Sequence, residues 1–262
     1  MPNMISNKDE SSRKKIAKLS TDKILLSAVQ MVDAKHNSFP ATHLDIGSGT
    51  GSLIRLLRAK FQVSSFACDY TDTLMKEDGV KVAIANLNNE KLPYQNDTFD
   101  IVTCTEVVEH LEHYRETIQE AFRVLKSGGT FVVTTPNILN LKSRIRFLIF
   151  GFFNLFGPLH FRESELYSTG GHITPIGLFY LNHSLIDAGF DEITVQIDKK
   201  QGTSIFWLLF LYFPIKLFSW LTIRNEINKY NTIDSSNIDF VLQMNSISIL
   251  TGRTIIVGCK KQ

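Results

Sequence analysis

Cysteine is scarce: Cys68, Cys104 and Cys259 are the three in 262 residues. They are odd in number, far apart and each set in an apolar run, which suits buried thiols of a reducing compartment better than a disulfide framework. Seven prolines and 15 glycines are too few for a collagenous or low-complexity chain, and 44% hydrophobic beside 21% charged residues excludes disorder. Charge of one sign is lacking too, since 28 Lys+Arg face 26 Asp+Glu, and a net charge of +2 selects no partner. From Met1-Pro2-Asn3 through the polar stretch Asn7 to Lys15 there is no apolar run of the kind a secretory signal needs. The protein is therefore expected inside the cell, in the cytoplasm. No internal repeat is visible, and the length suits one globular domain with insertions, or one domain plus a small lobe, large enough to bury a core.

Periodicity divides the chain. Ile16, Leu19, Ile24, Leu25, Ala28, Val29 and Val32 recur at helical spacing and predict an N-terminal helical cap over 1–40. His43–Ile46 reads as a strand running into a Gly-rich turn and a helix. Further strands are expected at Ser65–Asp69, Lys81–Ala85, Phe99–Thr103 and Thr130–Thr134, with a helix from Tyr114 to Leu125 closed by Ser127-Gly128-Gly129. Strands alternating with helices predict parallel crossovers, hence a doubly wound α/β sheet with its ligands at the strand carboxyl ends. The core spans 41–136, followed by an insertion over 137–175 expected to form a lid on the acceptor site. A helix around Pro175–Ala188 and a strand at Asp191–Ile197 return to the core (176–198). A second insertion, 199–250, is too long for an ordinary loop, and the final strand, Arg253–Cys259, lies in 251–262.

Leu44-Asp45-Ile46-Gly47-Ser48-Gly49-Thr50-Gly51 puts glycines at alternate positions where strand becomes helix, so the backbone turns tightly and leaves bare amides for a ligand. A dinucleotide site would space them G-x-G-x-x-G. The next strand ends in Asp69, whose carboxylate can accept from both hydroxyls of a ribose, and Tyr70 and Thr71 then allow a helix cap. The acid before the first glycine and the G-x-G-x-G spacing resemble motif I of the class I S-adenosylmethionine-dependent methyltransferases. The resemblance continues in order through Asn86-Leu87-Asn88, Leu92-Pro93-Tyr94, Phe99-Asp100-Ile101-Val102, Arg123–Gly129 and Thr134-Thr135-Pro136-Asn137. It implies a Rossmann-like parallel sheet with a C-terminal antiparallel strand and helical insertions. It also implies S-adenosyl-L-methionine as cofactor, held by Asp45, Gly47, Ser48, Gly49, Gly51, Asp69, Tyr70, Asn86, Leu87 and Thr105. Asn86 stands where relatives commonly carry Asp to receive the adenine amine; its side-chain oxygen accepts the same bond without charge, so weaker binding is expected. Ser127 replaces a usual proline, a change of turn stiffness.

Glu106, Glu109 and His110 follow the fourth strand. On a helix they would share a face, and two carboxylates with an imidazole at a sheet edge are either a repulsion or a cation site. The pattern is similar to the Glu-x-x-Glu-His of ubiquinone-biosynthesis O-methyltransferases and of small-RNA 3′-terminal 2′-O-methyltransferases. That resemblance implies Glu106, Glu109, His110 and His172 as ligands of one Mg²⁺ or Mn²⁺, with His160 as the alternative to His172. A second reading keeps His110 as a cap, a substrate-orienting group or a general base. His110, Glu109 and Asn137 are the catalytic candidates, Asn137 because it ends the fifth strand where an acceptor hydroxyl should sit. His36, His43 and His183 read as surface or packing residues.

Phenylalanine is unevenly spread: of 19, six lie between Phe147 and Phe161 and four more at Phe206, Phe210, Phe213 and Phe218. Lys142, Arg144 and Arg146 precede the first cluster, and Lys199, Lys200, Arg224 and Lys229 flank the second. Residues 147–156 and 205–223 therefore read as peripheral contacts with an anionic membrane face, or as a buried lid and dimer surface. Lys216 and Pro214 oppose a membrane span. The function expected is O-methylation of a small or lipid-linked acceptor, a lipid-linked sugar or a quinone-type molecule, at the inner face of a membrane. Two alternatives are an RNA 2′-O-methyltransferase and a non-catalytic S-adenosylmethionine-binding partner protein. Nucleic acid is disfavoured because the cations border Phe-rich stretches instead of polar surface.

Overall fold

The computed structural model describes residues 21–159 and 171–262. Seven strands, β1 (Ala41–Ile46), β2 (Val63–Asp69), β3 (Val82–Ile84), β4 (Phe99–Thr105), β5 (Leu125–Pro136), β6 (Phe190–Ile197) and β7 (Thr254–Lys261), form one sheet in the order β3-β2-β1-β4-β5-β7-β6. Pairing is parallel from β3 to β5, and β7 is antiparallel to both β5 and β6. The strand order reverses between β1 and β4, the switch point at which such sheets bind ligands. The helices are α1 (Asp22–Lys35), α2 (Ser52–Lys60), α3 (Tyr114–Val124), α4 (Leu141–Phe150), α5 (Leu178–Ala188), α6 (Gly202–Asn225), α7 (Ile238–Gln243) and α8 (Ile247–Thr251).

Alternation along the strands sets the layers, because successive side chains point to opposite faces. Ile101, Val132 and Ile256 pack with Ala28, Met31 and Val32 of α1 and Leu53 and Leu57 of α2. Their neighbours Val102, Phe131, Val133, Ile255 and Val257 pack on the other face with Ile118 and Ala121 of α3 and Leu181 and Leu185 of α5. All three cysteines are buried.

Three expectations are corrected. The described part of the N-terminal cap, α1, is a layer on the sheet; a Cβ at Gly258 would come within 2.5 Å of Met31 Sδ, so helix and strand touch backbone to side chain. Ile16 and Leu19 lie outside the described residues. Ser127-Gly128-Gly129 does not close α3, which ends at Val124, with Leu125 already paired to Phe99. Lys261 Nζ donates to the Phe122 and Leu125 carbonyls and so satisfies the helix end that a glycine would have capped. No helix follows Thr71; the chain turns at Asp72–Met75 and packs back on the glycine loop, Lys76 N donating to Thr50 O.

The second insertion leaves the sheet after β6, forms α6, and returns through α7 and α8 to β7. Asn140 caps α4 by accepting from Ser143 N, and Gly151, at φ +75°, ends it.

Candidate active site

The glycine loop joins β1 to α2, and Gly47, Gly49 and Gly51 all have positive φ, at 69°, 48° and 75°. Space as well as conformation demands glycine here. A Cβ at Gly47 would lie 2.2 Å from Val107 Cγ2, and one at Gly51 would lie 2.7 Å from Met75 Sδ. Asp69 holds the loop, Oδ2 accepting from Gly49 N and Oδ1 from Tyr70 N, both at 2.7 Å. Burial raises its pKa and these amides oppose the rise. Each oxygen keeps a lone pair for a ribose hydroxyl. Tyr70 is exposed and Ser48 buried, its hydroxyl without a partner among the described residues. Asn86 Oδ1 accepts from Asn88 N at 3.1 Å, which fixes the turn that carries Leu87. Thr105 ends β4, buried, beside Thr134 of β5.

Beneath the loop, Asp45 is fully buried and accepts from Thr103 Oγ1 at 2.7 Å. Burial first, and Asp69 behind it, lift its pKa to about 7 despite that bond. Thr103 Oγ1 lies 2.8 Å from His43 Nε2, whose ring reaches Ser65 Oγ through Nδ1 at 3.2 Å. Burial, with Arg58 adding to it, pushes His43 down to about 3, so the ring is neutral. If Thr103 donates to Asp45, it must accept from His43 Nε2–H, and Ser65 then donates to Nδ1. The packing role read for His43 omitted this polar chain, because its partners come from β2 and β4.

Glu106, Glu109 and His110 do not sit on one helix. Glu106 leaves β4 at φ +55°, and Val108–His110 is a single 3₁₀ turn. The strained backbone at Glu106 is pinned from β5, its N donating to Thr134 Oγ1 at 3.0 Å while Thr134 Oγ1 donates back to Glu106 Oε1 at 3.1 Å. Burial raises the Glu106 pKa, with Thr134 and Arg253 opposing.

Glu109 is fully buried; among the described residues the Thr135 hydroxyl and its own amide favour its charged form, neither at full hydrogen-bonding geometry. Burial and the Glu106 charge drive its pKa well above the carboxylate range. Ligating atoms of Glu109, His110 and His172 all lie within 4.8 Å of one another; Glu106 is outside this group. His172 arrives there by backbone bonding. Ile173 N and Thr174 N both donate to Glu109 O at 3.0 Å, and Thr174 Oγ1 donates to Leu111 O at 2.6 Å. The two imidazoles meet edge to face with centroids 4.7 Å apart. His110 Nδ1 lies 3.0 Å from Gly171 O, so Nδ1 carries the proton and Nε2 is left basic. Burial lowers the pKa of both rings, His172 to about 4 with His110 adding to the effect. His160 lies outside the described residues.

Asn137 does not serve as expected. Its Nδ2 donates to Ile249 O at 2.7 Å and Gly252 O at 3.0 Å, and its Oδ1 accepts from Leu139 N. The side chain is spent tying the end of β5 to α8. Arg253 and Asp198, which with Thr134 face Glu106, were not singled out in the sequence, since they converge only once β5, β6 and β7 pair.

A methyltransferase-domain family matches residues 44–133, the stretch from β1 through most of β5. A probable S-adenosylmethionine-dependent methyltransferase of Mycolicibacterium smegmatis is 36% identical over 133 residues, 48% of this chain and 45% of its own length. The ubiquinone/menaquinone biosynthesis C-methyltransferase UbiE of Pseudomonas putida is 29% identical over 58% of this chain and 65% of its length. The crystal structure of a SAM-dependent methyltransferase from Archaeoglobus fulgidus superposes with a TM-score of 0.54 at 18% identity, covering 91% of this chain and 94% of that one, and so shares the fold. Residues 44–133 thus match a methyltransferase domain, and the chain is similar over about half its length to S-adenosylmethionine-dependent methyltransferases. It spans about half to two thirds of the length of the two curated relatives.

Proposed function

We propose that the protein transfers the methyl group of S-adenosylmethionine to an oxygen of a small or lipid-borne acceptor, of lipid-linked sugar or quinone type. The observation that carries this reading is the fully buried Glu109 carboxylate, its oxygens short of a full hydrogen bond, beside His110 and His172, one strand from the cofactor loop. Burying a carboxylate short of full hydrogen bonds is costly, and the cost is relieved when positive charge arrives beside it. The loop, Asp69 and Asn86 hold the methyl donor at the β1–β2 edge, and the 3₁₀ turn after β4 presents Nε2 of His110. The acceptor oxygen forms its bond to the methyl carbon as the carbon–sulfur bond breaks, and its proton passes to Nε2. Glu109 then stabilises the imidazolium. Where Mg²⁺ or Mn²⁺ is bound, Glu109, His110 and His172 are the residues that would hold it, and the ion would supply charge to an ionising hydroxyl.

The UbiE relative is named a C-methyltransferase, so the atom that receives the methyl is itself a point to test. Purified protein with carbon-13 methyl donor and a cell extract should yield a product whose methyl resonance lies in the methoxy region. His110→Ala and Glu109→Gln should each lower turnover about 100-fold with cofactor affinity unchanged. Unchanged turnover in both, or a C-methyl resonance, would sink the reading. Calorimetric titration with Mn²⁺ should show weaker binding in His172→Ala; equal binding would remove His172 from the ligand set.

A further inference from the structure

The methyl-transfer site makes no use of α6, and α6 has no place in a water-exposed protein as it stands. It is an unbroken helix of 24 residues in which only Ser204 is buried. Phe206, Leu209, Phe213, Phe218 and Leu221 are all exposed, Leu209 and Phe213 at 78% and 74%. These positions, with Leu208, Leu211 and Ile215 on the remaining side, leave α6 without a polar face. A helix apolar all round belongs in a core or in lipid, whereas one that docks on a single protein partner carries a stripe. The exposed end of α4, Phe147 to Phe150, belongs to the helix packed against it and extends the apolar surface.

Charge completes the description. Between 199 and 225 there are four cations, Lys199, Lys200, Lys216 and Arg224, and no acid; between 140 and 159 there are Lys142, Arg144 and Arg146, again with no acid. Arg144 is spent inside, donating to the Leu139 and Met244 carbonyls. Others fold back over the rings: Arg224 lies 4.8 Å from the Trp220 centroid, Lys216 5.8 Å from Tyr212 and Arg146 5.2 Å from Phe150. Aromatic rings backed by cations match the boundary between anionic headgroups and acyl chains.

Topology decides between lying in the membrane and crossing it. At about 1.5 Å per residue α6 is long enough to span. But β6 and β7 are neighbours in one sheet, so the chain that leaves at Asp198 must come back to Arg253 on the same side. A crossing would carry Glu226, Asp234 and Asp239 with it and leave a polar segment to return through lipid, where backbone and charge go unsatisfied. That returning segment is instead tied to the C-terminal half of the helix, Asn245 Nδ2 donating to Ser219 Oγ at 2.6 Å.

We propose that α6, with the exposed end of α4, is a docking surface for an anionic lipid bilayer, entering the headgroup–acyl boundary from one side without crossing it. The surface stands on its own geometry; only its use, presenting a lipid-borne acceptor, rests on the function proposed above.

Both tryptophans of the chain, Trp207 and Trp220, lie on α6, so intrinsic fluorescence reports this helix alone. Full-length protein should float with vesicles of equal phosphatidylcholine and phosphatidylglycerol and not with phosphatidylcholine alone. Its emission should shift to the blue, and brominated acyl chains should quench it. Leu209→Glu combined with Phe213→Glu, both exposed, should weaken vesicle binding at least about tenfold. A cysteine introduced by Ser235→Cys, the native three being buried, should stay open to an impermeant reagent outside the vesicles; protection would mean a span and overturn the proposal. Absence of vesicle binding, or a stable dimer with both tryptophans shielded in the absence of lipid, would overturn it as well. S-adenosylhomocysteine affinity measured on the same samples separates the two readings: vesicle binding without cofactor binding would sink the function and leave the docking surface standing.

Discussion

At the scale of single residues, Asp45 and His43 are two buried titrating groups joined through Thr103 that pull stability in opposite directions. Asp45 titrates near 7 in the fold against 3.8 ordinarily, so its contribution is present below about pH 4 and is lost as pH rises to about 7. His43 titrates near 3 against 6.5, so its contribution is present above pH 6.5 and is lost as pH falls toward 3. Across the overlap the two slopes oppose one another. Asp45→Asn should therefore expose a loss of stability on acidification, and His43→Gln a loss on alkalinisation. Each difference from wild type should be up to roughly 4 kcal/mol across its window. Chemical denaturation at a series of pH values checks both, and parallel curves for the three proteins would refute the assignment.

Glycine 47 is the other residue where a single atom decides the outcome. Gly47→Ala adds about 1–2 kcal/mol of backbone strain at positive φ and drives a methyl into Val107. Its cofactor affinity should fall by more than about tenfold. Adding Val107→Ala should recover the part due to the clash and none of the part due to φ, which calorimetry with S-adenosylhomocysteine can separate.

At the scale of elements, some were legible as patterns and others only as partners. The strand–turn–helix at Leu44–Leu57 and the strand ending in Asp69 could be read from periodicity and glycine placement, since both signals are local. The ends of β5 could not. Leu125 joins the sheet by pairing with Phe99, and Lys261, over a hundred residues away, satisfies the α3 carbonyls. The Glu-x-x-Glu-His stretch was legible as a set of residue types but not as geometry: its helix is a 3₁₀ turn, and Glu106 is turned toward Thr134. The placement of Asn137 was hidden for the same reason, its two acceptors lying on and just after α8 while Leu139, two residues on, donates to its Oδ1. Its substitution is predicted to act through the element it ties. Asn137→Ala should cost about 2–3 kcal/mol of stability while turnover per folded molecule stays near wild type. A turnover loss comparable to that of His110→Ala in fully folded protein would return Asn137 to the chemistry.

For the whole molecule, the two groups of candidate residues lie on opposite sides of the sheet's switch point. The β1–β2–β3 half carries the glycine loop, Asp69 and Asn86, and beyond the switch point Glu109, His110 and His172 meet at the turn after β4, with Glu106 held apart on Thr134. Both insertions, one after β5 and the other after β6, are rooted in the β4–β5–β7 half, where Ser204 Oγ accepts from Lys142 N and bonds Asn140 Oδ1. The apolar helices thus grow from the edge at which an acceptor would meet the methyl donor.

The central claim is that this edge methylates a lipid-borne oxygen. Transfer of labelled methyl from S-adenosylmethionine into a membrane-containing extract with Mg²⁺, followed by partition between organic and aqueous phases, tests it most directly. The account predicts label in the organic phase, abolished in His110→Ala. Label confined to the aqueous phase, or cofactor binding with no transfer into either, would contradict it.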